Sequence, residues 1–418
     1  MNQLSQELLS VAEKVEAKIQ TVITKIQKQA FHNHRKVLSA FAEEKVSEYH
    51  LKGSTGYGYG DRGREVLERV MARVLGAEAA LVRSQIVSGT HAIALALYGV
   101  LRPGDELLSV TGDPYDTLEE VIGLKGKSAG SLIDWGVTYR QVELLPDGSS
   151  DLEAISAAIS PKTRMVAIQR SRGYSWRPSL DIGRLKKLIT FIRGIKKDII
   201  VFVDNCYGEL VEAQEPTEVG ADLIAGSLIK NLGGGLAPTG GYVAGREELV
   251  RLAANRWTAP GIGGAVGASL DLNRLLFQGL FLAPHVVGEA LQGAVFTAAL
   301  FSELGFQVSP LFNEERTDLI QAIKLGNREL LQAFCKGLQL ASPIDSHVIP
   351  EPWAMPGYQD QVIMAGGTFI QGATIELSAD GPMREPFAVY LQGGLCREHV
   401  KLGALLAAKN VLKINNNK

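Results

Sequence analysis

An aspartate and a lysine 26 residues apart, Asp204 and Lys230, are the pair in this sequence best suited to do chemistry. Residues 199–203 form an apolar, mostly β-branched run, which predicts a strand buried on both faces of a parallel sheet. Asp204 ends that run, so its carboxylate falls at the carboxyl edge of the sheet, where open α/β folds bind ligands. One crossover and a short strand over 223–226 then bring Lys230 beside it, and Gly233, Gly234 and Gly235 follow. An amine and a carboxylate so placed suit pyridoxal phosphate: the lysine forms an imine with the cofactor, and the aspartate keeps the ring nitrogen protonated so that the ring accepts electrons.

Other stretches supply groups for the same edge. Ser88, Gly89 and Thr90 open a helix that follows a short strand over 79–83, and first-turn N–H groups with the helix dipole attract a phosphate. Tyr115 follows a strand over 107–110 and can stack on a planar ring or donate a proton. The segment 170–178, rich in donors and aromatics (Arg172, Tyr174, Trp176 and Arg177 among them), follows a strand over 165–169 and should line the same rim. Between Gly53 and Arg64, two tyrosines alternating with glycines place Tyr57, Tyr59 and Arg62 on a loop suited to an anion. Gly58, Gly60 and Gly63 do satisfy the dinucleotide pattern, but no strand precedes them. The stretch 123–128 lacks the first glycine of a phosphate-binding loop, with Val121 in its place. His32 and His34 have no third ligand near them, so no metal site is expected.

The elements that must position these residues fill a chain of 418, long enough for two or three domains. A charge of −2, 46% hydrophobic residues and 21% charged ones give no reason to expect nucleic-acid or membrane partners. Three scattered cysteines suggest a reducing compartment, and the charged N-terminus is no signal peptide, so a cytoplasmic protein is expected. Apolar residues at helical spacing over 3–47 predict an N-terminal helical arm. Strands and helices alternate through residue 245, which argues a mostly parallel sheet. Residues 264–306 read as helix, followed by strands over 362–363, 368–370 and 374–378 and a last helix over 399–411. The expected division is an arm over 1–50, a large α/β domain over 51–295 and a smaller α+β domain over 296–418.

With these pieces in order the chain resembles the fold-type-I pyridoxal-phosphate enzymes of cysteine and methionine metabolism. It is most similar to the methionine γ-lyase-like family also called aluminium resistance proteins. The likeness covers residues 50–400 and rests on Gly56 to Tyr59, Val87 to Ala92, Tyr115, Val203 to Asn205, Ser227 with Lys230, and Ile375 to Pro382. It implies that Lys230 carries the cofactor and shuttles the proton, and that Asp204 binds the ring nitrogen. Gly89, Thr90 and Ser227 would hold the phosphate beside Ser88, while Tyr115 stacks on the ring and assists the leaving group. Tyr57, Tyr59 and Arg62 would reach the phosphate of a neighbouring subunit, so a dimer or dimer of dimers is implied. Arg384 is the candidate for the substrate carboxylate, with Arg172 and Tyr174 beside the substrate. The sequence departs from the pattern at Ile229, where a hydroxyl residue is usual, and over 172–176. Two arginines and a tryptophan on that rim point to a larger or more acidic amino acid than methionine. The expected reaction is carbon–sulfur elimination from an amino acid, giving a 2-oxo acid and ammonia. An aminotransferase, or a cofactor-binding sensor without turnover, would use the same residues.

Overall fold

In the computed structural model, which describes residues 4–126, 129–355 and 358–415, the apolar run before Asp204 is strand β5 (Ile200–Asp204). Lys127 and Ser128, from the rejected phosphate-loop stretch, lie outside the described residues. Along β5, Val201 and Val203 enter one apolar cluster while Ile200 and Phe202 enter another, so the strand is buried on both faces. The other strands of this seven-stranded sheet are β1 (Ala79–Arg83), β2 (Glu106–Ser109), β3 (Thr138–Gln141), β4 (Thr163–Gln169), β6 (Leu223–Ser227) and β7 (Gly241–Gly245). Their order is β1-β7-β6-β5-β4-β2-β3; β7 runs antiparallel to both neighbours, and the remaining pairs are parallel. Register sets Gln169 beside Asp204 at the carboxyl edge.

Helices flank both faces: α2 (Arg62–Val74) and α6 (Ile182–Ile195) on one, α3 (Gly89–Val100) and α7 (Glu247–Trp257) on the other, with the short α4 (Asp116–Ile122) and α5 (Leu152–Ala158) in the crossovers. The arm is one long helix, α1 (Gln6–Glu43), whose Leu8, Val15, Ile19 and Ile23 bury against α8 (Asn273–Glu303). Residue 295 therefore falls inside a helix that both sheets share. By length and composition α8 could cross a membrane, but 78% of its apolar window is buried inside the protein, as befits a core helix.

The second sheet is wholly antiparallel: β8 (Gln307–Ser309), β9 (Gln321–Lys324), β10 (Val362–Ala365), β11 (Ser378–Pro382) and β12 (Ala388–Gln392), in the order β10-β11-β12-β9-β8. It is backed by α9 (Arg328–Gln339) and α10 (Arg397–Asn415). The strands expected over 368–370 and 374–377 do not form. The buried Glu376 carboxylate accepts the N–H groups of Phe369 and Ile370, both at 2.9 Å, and folds that segment into a turn.

Candidate active site

Lys230 follows β6 and caps a single 3-10 turn, Asn231–Gly233. Asn231 ties that turn to the one after β5, donating to the carbonyls of Tyr207 at 3.1 Å and Glu209 at 2.8 Å. Glycine is needed behind it: a Cβ on Gly279 of α8 would lie 2.3 Å from the Gly233 carbonyl oxygen. The turn after β5 is fixed from below by the buried Arg170, which donates to Asn205 Oδ1 at 2.7 Å and pairs with Glu212 at 2.7 Å. It also holds Tyr207 at a φ of +71°, which costs a side-chain-bearing residue of order 1 kcal/mol. That strained backbone sets the phenol ring under Lys230, whose Nζ lies 3.8 Å from the ring centroid.

Asp204 Oδ1 accepts the Cys206 N–H at 3.1 Å. Burial raises the Asp204 pKa, and the Lys230 ammonium and the Cys206 N–H hold that rise back. Burial pulls Lys230 down, but Cys206, Tyr207, Asp204 and Glu209 around it raise it by more. Burial pushes the Cys206 thiol well above its usual range and Tyr207 up to about 12, so both are neutral near pH 7. Of the two carboxyl groups that act on the ammonium, Asp204 and Glu209, burial pushes Glu209 up to about 8.

Gly89, Thr90, Tyr115, Asp204, Lys230 and Gln169 line one cavity. At its α3 end the Ser88 hydroxyl is committed to the His91 N–H, 3.0 Å away, while the first-turn N–H groups of Gly89 and Thr90 have no helical acceptor. A Cβ on Gly89 would come 3.3 Å from Cys206 Sγ and 3.5 Å from Ser227 Cβ, so the bare backbone lies close against the sheet edge. Ser227 is buried, and its hydroxyl accepts the Ile229 N–H at 3.3 Å. Gln169 gives its amide nitrogen to the Ser171 carbonyl, which leaves its buried Oε1 without a partner among the described residues. This donor set fits pyridoxal phosphate: free N–H groups with a helix dipole for the phosphate, Asp204 for a protonated ring nitrogen, Lys230 for the covalent link.

Behind Tyr115 a cluster of tyrosines joins the cavity wall to the second sheet through Asp380 and Tyr390. Tyr115, the residue before α4, shares a 2.7 Å hydrogen bond with the Tyr358 hydroxyl. Gly173, at a φ of +56°, lets the loop after β4 pass the Tyr115 ring, where a Cβ would sit 3.3 Å from Cδ2. Tyr174 packs on Tyr115 with ring centroids 5.8 Å apart and donates its hydroxyl to Asp380 Oδ2 at 2.8 Å. Gln392 donates to the same oxygen at 2.9 Å. Burial pushes Asp380 up to about 6, against the two donors and the Lys230 charge. Arg384 is half-exposed and pairs with Asp360 at 3.0 Å and Asp116 at 3.8 Å.

Several predicted residues fall elsewhere. Arg172 is fully buried and donates to the Ser309 carbonyl at 2.9 Å, while Arg177 spends its guanidinium on the carbonyls of Gln169, Ser171 and Pro178. Both brace the loop after β4 and neither lines the cavity, because free carbonyls at a strand end draw guanidinium donors inward. The loop before α2 is pinned by Asp61, which accepts from Ser54, Ser269 at 2.6 Å and the Arg64 N–H at 2.9 Å. Tyr57 and Tyr59 are 75% and 70% exposed, and Arg62 pairs with Glu65 at 3.2 Å, so within one chain this loop does not reach the cavity. Sequence reasoning missed Gln169, Cys206, Tyr207, Tyr358 and Asp380. Only Gln169 carried a usable signal, as the last residue of a strand adjoining β5.

Fold and site together define a fold-type-I pyridoxal-phosphate enzyme, with a mostly parallel sheet carrying the lysine and a separate antiparallel sheet. Residues 8–412 match the methionine gamma-lyase family, and the chain belongs to it. A Listeria monocytogenes structure, provisionally described as a cystathionine beta-lyase involved in aluminium resistance, shares 54% identity with a TM-score of 0.94, over 96% of this chain and 100% of that one. The L-methionine gamma-lyase of Pseudomonas putida is 31% identical over 220 residues, 51% of this chain and 48% of that protein. At 18% identity and a TM-score of 0.62, over 94% of this chain and 97% of that one, the pyridoxal-phosphate-dependent YhfS of Escherichia coli shares the fold. The chain is thus an enzyme of the carbon–sulfur lyase type, and its family implies pyridoxal phosphate.

Proposed function

We propose that this chain cleaves a carbon–sulfur bond of an amino acid by elimination, in the manner of a methionine γ-lyase, with pyridoxal phosphate as cofactor. The observation that carries the reading is the placement of Lys230 and Asp204 on one cavity, walled by Tyr115, whose hydroxyl is bridged to Tyr358. The cofactor, when bound, supplies the electron sink. Lys230 takes the proton from the substrate Cα, and Asp204 holds positive charge on the ring nitrogen. Tyr115, bridged to Tyr358, is placed to give a proton to the departing sulfur. The C–S bond breaks, the thiol takes up a proton, and hydrolysis of the unsaturated amino acid gives a 2-oxo acid and ammonia. Arg384 is assigned to the substrate α-carboxylate, exchanging its bond to Asp360 for one to the ligand.

The test is a panel of L-methionine, L-cystathionine, L-cysteine and S-methyl-L-cysteine, with thiol and 2-oxo acid measured together. Equal release of the two from any member supports the reading. Amino transfer to an added 2-oxo acid without thiol release would make the protein an aminotransferase, and no turnover at all would leave a cofactor-binding protein.

We also assign the loop bearing Tyr57, Tyr59 and Arg62 to the phosphate site of a second copy, and place the enzyme in the cytoplasm as a dimer or dimer of dimers. Exposed aromatic and guanidinium groups on a loop pinned at Asp61 support that assignment. Arg62→Ala should weaken cofactor binding about tenfold, the size of one charged hydrogen bond. Mixing that chain with a Lys230→Ala chain should then restore activity, because one site of each hybrid keeps both halves intact. A verified hybrid with no recovery would return the loop to its own chain.

A further inference from the structure

Asp380 is a carboxylate on the substrate side that elimination chemistry, as described above, does not use. It sits on β11, buried to 8% exposure, and both of its hydrogen bonds, from Tyr174 and Gln392, fall on Oδ2. Oδ1 accepts none among the described residues. Two donors on one oxygen fix the plane of the carboxylate and leave the other oxygen for a ligand. Asp380 connects to the cavity through its neighbours: Tyr174, which donates to it at 2.8 Å, packs on Tyr115, and Tyr115 lines the cavity that holds Lys230 and Asp204.

Its surroundings suit a cation. Tyr115, Tyr174 and Tyr358 pack at centroid separations of 5.8 to 6.2 Å, and Tyr390 stacks on Tyr174 at 5.4 Å. Aromatic faces beside a carboxylate attract an ammonium group, as Tyr207 already does for Lys230. Arg384 is paired with Asp116 and Asp360, at 3.8 and 3.0 Å, and makes no bond to Asp380 among the described residues. Arg172 and Arg177, which suggested an acidic substrate, are spent on backbone carbonyls.

We propose that Asp380 and its tyrosines form a subsite for a positively charged group, so that the preferred substrate is a sulfur amino acid whose far end carries an ammonium. This rests on the lyase reading for the α-amino and α-carboxylate ends, which engage Lys230 with the cofactor and Arg384. The side chain then extends toward Asp380. A distal ammonium there gains a charge-assisted bond that a methyl group cannot make.

Two ligands without a leaving group test the subsite apart from turnover. L-Lysine and L-norleucine differ by an ammonium on the chain end, and their binding to the holoenzyme reads out as a change in cofactor absorbance. L-Lysine should bind about 10- to 100-fold more tightly, the worth of one charged hydrogen bond. Asp380→Asn should bring the two affinities together. The same preference should appear in kcat/KM for S-(2-aminoethyl)-L-cysteine over S-propyl-L-cysteine. Equal binding of lysine and norleucine to the wild-type protein overturns the proposal whatever the variant does, and so does an unchanged preference in Asp380→Asn. If the preference holds while no sulfur amino acid releases thiol, the subsite stands and the lyase reading falls.

Discussion

Lys230→Ala should lose at least about 10⁴-fold in activity, the upper range for removing a positioned proton-transfer group, with the covalent link to the cofactor lost as well. Borohydride reduction and peptide mapping should label Lys230 in the wild type and no lysine in the variant. Of the other lysines that could be labelled, Lys127 lies outside the described residues and Lys125 bonds Glu119 at 2.5 Å. The alanine change also leaves Asp204 buried without its counter-charge, so loss of activity alone could reflect a loosened fold. Lys230→Arg separates the two causes. Arginine keeps the positive charge facing Asp204 but cannot shed its proton to form the imine. A folded Lys230→Arg protein with neither label nor activity assigns the chemistry to the amine. Label on any other lysine in the wild type would move the site.

How much of this was legible in the sequence follows from how local each signal was. The apolar run of β5 announces a strand buried on both faces, and a strand's end says where its last carboxylate points, so Asp204 needed no tertiary knowledge. The same holds for the opening of α3, where Ser88 and Gly89 declare a cap, and for Lys230 one strand later. The substrate side is different in kind. Asp380 gains its meaning from Tyr174, 206 residues away, and Tyr115 from Tyr358, 243 residues away. No periodicity reports which side chains two sheets bring face to face. The arginines after β4 were misread for a related reason. A guanidinium beside a strand end is drawn to whatever carbonyls the loop leaves free, and only the folded loop shows that Arg177 faces three of them. The turn over 368–377 looked like strand by composition, because the one side chain that bends it, Glu376, satisfies backbone N–H groups six and seven residues before it.

Asp204→Ala should cost about 10²- to 5 × 10³-fold in kcat while Lys230 still labels with borohydride. The carboxylate is buried at the end of β5, fixed through Oδ1 by the Cys206 N–H. It stabilises positive charge in two places: on Lys230 in the protein as it stands, and on the ring nitrogen of a bound cofactor. Removing one partner of a buried charge pair costs about 3–5 kcal/mol, which corresponds to the fold-loss given if the stabilisation is felt in the rate-limiting proton transfer. The ring would lose its nitrogen proton and with it most of its capacity to accept electrons from the substrate Cα. Asp204→Glu distinguishes charge from position. It retains the carboxylate, but the extra methylene meets a turn closed by Cys206 and the buried Asn205, so recovery should be partial. The diagnostic measurement is kcat against cofactor affinity. A variant that binds cofactor normally, labels at Lys230 and turns over within about tenfold of wild type would show that Asp204 serves the strand end and not the reaction.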